Sequence, residues 1–145
     1  MSHLLLRWSI GTQDTTNLKD FESQKKLLDM FWLTKLSVVS FQRWFPDARF
    51  IIFYNGNDFN SFIEIFNSSN PSLLKEVEFV NQIEELTSGK IINRYHFFPM
   101  GVWWKWVPFR YDISYDEISI DTDIICINKP TNLIEWLNSD KPILV

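Results

Sequence analysis

The spacing of apolar and polar positions predicts a strand, a long helix and a second strand in the first third of the chain. Residues 3–10 are a short, mostly apolar run closed by Gly11, which is typical of a strand buried on both faces of a parallel sheet. Over residues 20–45, apolar side chains recur at steps of three and four with basic residues between them, and Pro46 stops the pattern. Residues 48–54 form a second apolar run. Four residues that tolerate a positive φ follow it: Asn55, Gly56, Asn57 and Asp58.

The remainder of the chain predicts shorter elements. They are a helix over residues 59–66, a strand at 77–80, a tryptophan-rich element over 101–110, a strand ending at Ile120, an amphipathic helix over 131–138 and a strand at 142–145. Residues 82–92 fit either a loop or a weak helical turn. A strand, a helix and a strand in that order make a right-handed unit with parallel strands. The predicted fold is therefore α/β and Rossmann-like, with a mostly parallel sheet, helices on both faces and the carboxyl ends of the strands on one edge.

Length, composition and charge exclude several classes of protein. A chain of 145 residues is one ordinary domain, so residues 1–145 are expected to form a single unit. The formal net charge of −4 and the lack of a basic cluster argue against a nucleic-acid partner. No apolar stretch is long enough to span a bilayer and the start lacks the features of a signal peptide, so we expect a cytoplasmic protein. The aromatic content of 17% is high and suggests a binding or partner surface.

Two carboxylates stand two residues apart directly after an alternating apolar stretch. Side chains at i and i+2 leave an extended strand on the same face, so Asp121 and Asp123 are expected to point one way at the strand's end. Hard cations take oxygen ligands, and Mg²⁺ is held by one or two carboxylates plus the phosphates of a substrate. The pair is thus a candidate divalent-cation site, and the alternative is turn chemistry or a solvated edge. Nearby Asp112, Asp116 and Glu117 are interpreted as solvated loop acids, with the alternative that Asp116 lies close to the site.

Four segments agree in order and spacing with one known family. They are Leu6-Arg7-Trp8-Ser9-Ile10-Gly11, Phe53-Tyr54-Asn55-Gly56-Asn57-Asp58, Trp103-Trp104-Lys105-Trp106-Val107-Pro108-Phe109-Arg110-Tyr111-Asp112 and Ile120-Asp121-Thr122-Asp123-Ile124. On these segments the chain resembles the N-terminal, nucleotide-binding half of glycosyltransferases of the GT-A fold, which carry an Asp-x-Asp motif. The resemblance covers nearly the whole chain.

The resemblance implies a donor site for a nucleoside-diphosphate sugar. The residues that it assigns to the nucleotide sugar are Trp8, Ser9, Ile10, Gln13, Asp58, Lys105, Arg110 and Asp121, and those that it assigns to a Mn²⁺ or Mg²⁺ ion are Asp121 and Asp123. The first four would line the base and ribose, and Asp58 would face the base or ribose. On chemical grounds apart from the resemblance, Lys105 or Arg110 could supplement the cation at the diphosphate by charge-assisted hydrogen bonds. The alternative for Lys105, which stands between tryptophans, is that it lies over an aromatic face. The resemblance assigns no catalytic residue, and the acceptor could be a glycan, a lipid or a protein.

The chain departs from this family at its end. The acceptor site and any catalytic base usually lie beyond the Asp-x-Asp half, and few residues follow Asp123. We therefore expect a domain truncated before its acceptor-binding part, which binds a donor without necessarily transferring sugar. Apolar rings on the face left open would favour self-association.

Two other functions compete with this one. The first is a non-catalytic remnant or nucleotide-binding fragment of a transferase. The second is a phosphatase of the haloacid dehalogenase type, in which the first Asp of the pair is the nucleophile and the second is the acid/base. In such phosphatases the pair normally opens the fold and a Thr or Val stands where this chain has Ile125.

Overall fold

A computed structural model describes residues 3–11, 21–91, 101–108 and 110–139. The elements in chain order are β1 (Leu4–Ile10), α1 (Phe21–Gln42), β2 (Arg49–Tyr54), α2 (Phe59–Ser68), β3 (Glu78–Asn81), α3 (Gln82–Thr87), a 3₁₀ helix (Gly101–Trp106), β4 (Asp116–Ile120) and α4 (Thr131–Leu137). They follow the predicted elements closely, and α3 shows that residues 82–92 begin as a helix. The strand predicted at residues 142–145 lies outside the described residues.

The four described strands form one parallel sheet in the order β3-β2-β1-β4. In the centre, Leu6 of β1 lies opposite Phe50 of β2 on one side and Ile118 of β4 on the other. The carboxyl ends of all four strands therefore meet at one edge, as predicted, and the arrangement is Rossmann-like. The strand order reverses between β1 and β4, which makes this pair the topological switch point of the sheet.

One face of the sheet carries the larger core. Alternate residues of β1 and β2, including Trp8 and Tyr54, pack here against apolar residues of α1, α2 and α4. Aromatic rings fill much of this space, and the rings of Tyr54 and Phe62 stack with centroids 4.1 Å apart. Much of the aromatic content thus serves the interior.

The opposite face carries a smaller core. Leu5, Ile51, Phe53 and Val80 pack there with two half-buried tyrosines from the loop before β4. The buried side chain of Gln82 donates from Nε2 to the carbonyl oxygens of Trp104 and Val107, at 2.7 and 2.6 Å, and so ties the 3₁₀ helix to the end of β3. In the described part of the chain, α1, α2 and α4 pack on the first face, whereas the 3₁₀ helix and the first residue of α3, Gln82, which is bonded to it, lie on the second.

Two properties of the helices concern the expected cellular location and the expected self-association of the protein. Within the described ranges, no helix is both long and apolar enough to cross a membrane. Helix α1 leaves Leu28 and Trp32 about half exposed. Self-association stays a prediction.

Candidate active site

The two carboxylates of the Asp-x-Asp motif lie in a turn that follows β4. The strand ends at Ile120, and the backbone N–H of Ile124 donates to the carbonyl oxygen of Asp121 at 3.1 Å. Both aspartates therefore lie beyond the end of the strand. The alternation of side chains along an extended strand, which was expected to point both carboxylates the same way, ends before them. Both are exposed, at the edge of the sheet where Gly11 follows β1. The motif thus stands at the switch point, although a turn presents it.

A lysine from the 3₁₀ helix meets the first of these carboxylates. Nζ of Lys105 lies 3.1 Å from Oδ1 of Asp121, with the two side chains 33% and 59% exposed. The same Nζ lies 5.8 Å from the ring centroid of Trp106, whose side chain is 40% exposed. The tertiary structure therefore brings Lys105 and Asp121 together.

A buried ion pair holds the backbone of this lysine. Arg7 of β1 is 2% exposed, and its Nη1 lies 2.6 Å from Oε1 of Glu117 in β4. Its Nη2 donates to the carbonyl oxygen of Lys105 at 3.0 Å. Burial lowers the pKa of Arg7, and the carboxylate of Glu117 opposes that shift.

Glu117 is consequently not the solvated acid that we expected. Besides the ion pair, its Oε2 accepts hydrogen bonds from the backbone N–H groups of Tyr111 and Asp112. The sequence held a signal for this pair, because an arginine inside an apolar strand needs a buried partner.

A cleft of about 380 Å³ adjoins the Lys105–Asp121 pair. Lys105, Trp106 and Asp121 line one part of it, and most of the remaining wall is apolar, with contributions from Phe41, Ile118, Ile120, Ile124 and Leu133. A cleft with an apolar wall and a few convergent polar groups is typical of small-molecule sites.

The residues of the first strand and its loop that the resemblance assigned to the nucleotide sugar lie in different surroundings. Trp8 and Ile10 are fully buried in the larger core, and Nε1 of Trp8 donates to Oγ of Ser37 at 2.9 Å. Both side chains therefore face α1 within the core, and the expected contact of residues 8–13 with a base and ribose stays a prediction. Ser9 points to the other face and is half-buried, and Gln13 lies outside the described residues.

Asp58 follows β2 at the same edge as the Asp-x-Asp motif but serves as the N-cap of α2. Its φ is 55°, its Oδ1 accepts from the N–H of Ser61 at 3.2 Å, and its Oδ2 accepts from Oγ of Ser61 at 2.7 Å. The hydrogen bonds from the Ser61 hydroxyl and N–H hold the pKa of Asp58 below its ordinary value. Its expected contact with a base or ribose stays a prediction.

Arg110 lies at the opposite edge of the sheet. Its Nη2 donates to the carbonyl oxygen of Tyr115 at 2.6 Å, directly before β4 begins beside Leu4. Because β4 runs parallel to β1, the chain must return to the amino edge after the 3₁₀ helix, and it carries Arg110 there. The structure therefore does not bring Arg110 together with Lys105 and Asp121.

A divalent cation would find few protein ligands among the described residues. Among them, no group of three or more His, Cys, Asp or Glu side chains could enclose a metal ion. Asp121 and Asp123 offer two exposed carboxylates in one tight turn, which leaves the other coordination positions for phosphate oxygens and water. Mg²⁺ takes such sites in preference to all-protein cages.

Comparisons with protein-family models, with curated proteins and with solved structures find no match to this chain.

Proposed function

We propose that this chain is the donor-binding part of a glycosyltransferase of the GT-A type, which uses a nucleoside-diphosphate sugar and Mn²⁺ or Mg²⁺. One observation carries the proposal: the Asp121–Asp123 turn leaves the carboxyl end of β4 at the switch point, with Lys105 at 3.1 Å from Asp121. Open parallel sheets bind their ligands outside the carboxyl ends of the strands at this point.

The chemistry of the site suits a diphosphate. Asp121 and Asp123 would hold the divalent ion, which when bound neutralises the charge that develops on the leaving diphosphate. Lys105 adds a point charge with three hydrogen-bond donors beside the same carboxylate. The sugar extends from the diphosphate, and we assign to it the adjoining cleft, where the exposed part of Trp106 lies close to Lys105.

The competing phosphatase hypothesis has less support. Its Asp pair would normally follow the first strand of the fold, whereas here the pair follows β4, the last strand of the described residues. No described contact favours the hypothesis of a non-catalytic remnant over the transferase, and the two differ in whether donor is turned over.

Calorimetry with UDP and with GDP, each with and without Mn²⁺, tests the proposal. We expect Mn²⁺ to strengthen binding of one nucleoside diphosphate by about tenfold or more, the size of a modest coupling between two ligands. Asp121→Asn and Asp123→Asn should each remove most of this gain. Asp47→Asn is the matched control, because Asp47 is exposed in the turn before β2 at the other edge.

Equal affinities with and without Mn²⁺, or a loss in the control as large as in the site variants, would contradict the metal-dependent site. Release of nucleoside diphosphate from a nucleotide sugar, measured with the same proteins, separates a transferase donor site from a remnant that binds without turnover.

A further inference from the structure

We infer that the open edge of β4 binds an extended segment of another protein, which adds to the sheet as a strand with an apolar centre and basic ends. Among the described strands, β4 is the last on its side of the sheet, which has the order β3-β2-β1-β4. An edge strand offers its unpaired backbone N–H and C=O groups to a partner strand. This inference goes beyond the proposed function, because it involves neither a nucleotide nor a cation.

Two residues of β4 direct their backbone groups away from the sheet. The N–H of Asp116 donates to the carbonyl oxygen of His3 at 2.6 Å, so the backbone groups of Asp116 face β1. Because these groups alternate sides along a strand, those of Glu117 and Ser119 face outwards. Over the described residues, β4 pairs with β1 alone, and no backbone hydrogen bond reaches Glu117 or Ser119 from the open side. Both residues can therefore pair with an added strand.

The cleft described above lies along this edge. Three consecutive residues of β4, 118–120, line it. Consecutive side chains of a strand point to opposite faces of the sheet, so a cleft that touches all three opens at the edge of the strand. Phe41 and Leu133 bound it on the face of the larger core, and the 3₁₀ helix bounds it on the other face. A strand added here would lie between two layers of side chains, as the inner strands do.

The walls of the cleft favour apolar side chains in the partner. Ile118 is half-buried, and Ile124, which lines the same cleft past the end of β4, is 50% exposed. Removal of such apolar surface from water favours association. The donor sugar was assigned to the end of the cleft beside Trp106, whereas the added strand pairs with Glu117 and Ser119, which come earlier in β4.

The charges at the two ends of β4 favour a basic partner. Asp116 is exposed at the amino end, and Asp123 is exposed in the turn after the carboxyl end. Neither carboxylate forms an ion pair with another described residue. The nearby cations are engaged elsewhere, because Lys105 is paired with Asp121 and Arg110 is bonded to carbonyl oxygens before β4. A segment with lysine or arginine at each end therefore complements this edge.

The same charges disfavour a second copy of this chain as the partner. Consider two β4 edges that pair in antiparallel fashion, with Glu117 of each copy opposite Ser119 of the other. Asp116 of one copy then lies opposite Ile120 of the other, directly before the acidic turn at residues 121–123. Carboxylates would meet at both ends of such a pair, and like charges on adjacent strands are destabilising.

Binding of designed peptides to the wild-type chain tests this inference. The probe is a fluorescent peptide with blocked ends, Lys-Val-Thr-Val-Thr-Val-Lys. One control carries Glu in place of both lysines, and the other is N-methylated at every residue between the lysines. By fluorescence anisotropy, we expect the probe to bind about tenfold or more tightly than either control, because the first reverses the charges and the second lacks backbone donors.

Two variants of one residue test the backbone contact from the side of the protein. Ser119→Pro removes an N–H that faces outwards and leaves the pairing of β4 with β1 intact, as proline does on edge strands. Its affinity for the probe should fall by about tenfold. Ser119→Ala is the matched control, because it keeps the N–H and removes only the hydroxyl group, and it should bind as wild type does.

Amide hydrogen exchange on the wild-type chain locates the contact. The N–H groups of Glu117 and Ser119 should become protected when the probe is added, whereas those of Ile118 and Ile120, which face β1, should be protected throughout. Unchanged exchange at Glu117 and Ser119, or equal binding of the N-methylated peptide, would overturn the inference. Both measurements use wild type, so they decide the matter even when Ser119→Pro does not fold.

The remaining outcomes concern the identity of the partner. Equal binding of the peptide with Glu at both ends would overturn the assignment to a basic segment. Sedimentation without peptide tests the second copy: a dimer that dissociates in Ser119→Pro but not in Ser119→Ala would make that copy the occupant and overturn the inference. These experiments contain no nucleotide and no Mn²⁺, so their results are independent of those that test the proposed function.

Discussion

The guanidinium of Arg7 donates a hydrogen bond of 3.0 Å to the carbonyl oxygen of Lys105, a residue 98 positions away in the chain. The contact joins the central strand to the helix that carries the candidate diphosphate ligand. Because Arg7 is also paired with Glu117, one buried cation fixes β1, β4 and the 3₁₀ helix against each other. The position of Lys105 at the carboxyl edge therefore depends on a buried group of the central strand.

Replacing this arginine should destabilise the fold strongly. Arg7→Met leaves the Glu117 carboxylate buried without its cation, and removal of one partner of a buried pair costs about 3–5 kcal/mol of the free energy of unfolding. The double variant Arg7→Met/Glu117→Gln should recover a large part of the loss, because the neutral amide oxygen can still accept from the N–H of Tyr111. Urea denaturation measures the free energy of unfolding of wild type, Arg7→Met, Glu117→Gln and the double variant. A double variant as unstable as the sum of the two single variants would contradict this account.

Arg110 should be dispensable for nucleotide binding. It lies at the amino edge, bonded to the carbonyl oxygens of Tyr115 and Ile113, so Arg110→Gln should leave the affinity for UDP or GDP with Mn²⁺ unchanged. The same calorimetry on Lys105→Met should show a clear loss of nucleotide affinity. A loss in Arg110→Gln equal to that in Lys105→Met would place Arg110 at the site after all.

Lys35 should stabilise the end of α2. Although fully buried in α1, its Nζ donates to the carbonyl oxygens of Phe66 and Asn67, at 2.6 and 3.1 Å, and to that of Ser69. Lys35→Met removes this charged donor from all three carbonyl groups, although that of Phe66 still accepts from the hydroxyl of Ser69, and should cost about 1.5–3 kcal/mol, in line with loss of charge-assisted hydrogen bonds. Lys25→Met, at an exposed position of the same helix, should change the free energy of unfolding by less than about 0.5 kcal/mol. Similar losses in both variants would contradict the capping role.

Asp58 should make the stability of α2 depend on pH. Its pKa is depressed in the folded protein, so the carboxylate stabilises the fold above its ordinary value of 3.8, and this stabilisation is lost as the pH falls through the depressed value. Asp58→Ala should lower the melting temperature at pH 7, and the difference from wild type should shrink below pH 4. The side-chain oxygen of Asn also accepts a hydrogen bond at an N-cap, and Asn tolerates the left-handed backbone. Asp58→Asn should therefore lose less stability at pH 7 than Asp58→Ala, and its melting temperature should depend less on pH than that of wild type. A difference in melting temperature between Asp58→Ala and wild type that stays the same at every pH would show that the charge of the carboxylate is irrelevant.

The sequence by itself determined the elements and their order. The helical period over residues 20–45 corresponds to α1 at Phe21–Gln42, and the apolar run at 48–54 corresponds to β2 at Arg49–Tyr54. Both patterns are read from residues that are close together in the chain, so they need no knowledge of the tertiary structure. The parallel sheet followed from the order of strands and helices. So did the placement of the Asp-x-Asp motif at the carboxyl edge.

Only the tertiary structure decided which polar groups meet. Lys105 and Arg110 stand five positions apart in one segment, yet they lie at opposite edges because the chain crosses the sheet between them to begin β4. A continuous apolar run such as β1 does not tell which side chain faces which layer, so the burial of Trp8 against α1 could not be foreseen. Glu117 became a buried partner of Arg7 because β4 pairs with β1. The periodicity that predicts a helix or a strand depends on residues close together in the chain. The contacts of Lys105, Trp8 and Glu117 join residues far apart in the chain, so no short stretch of sequence predicts them.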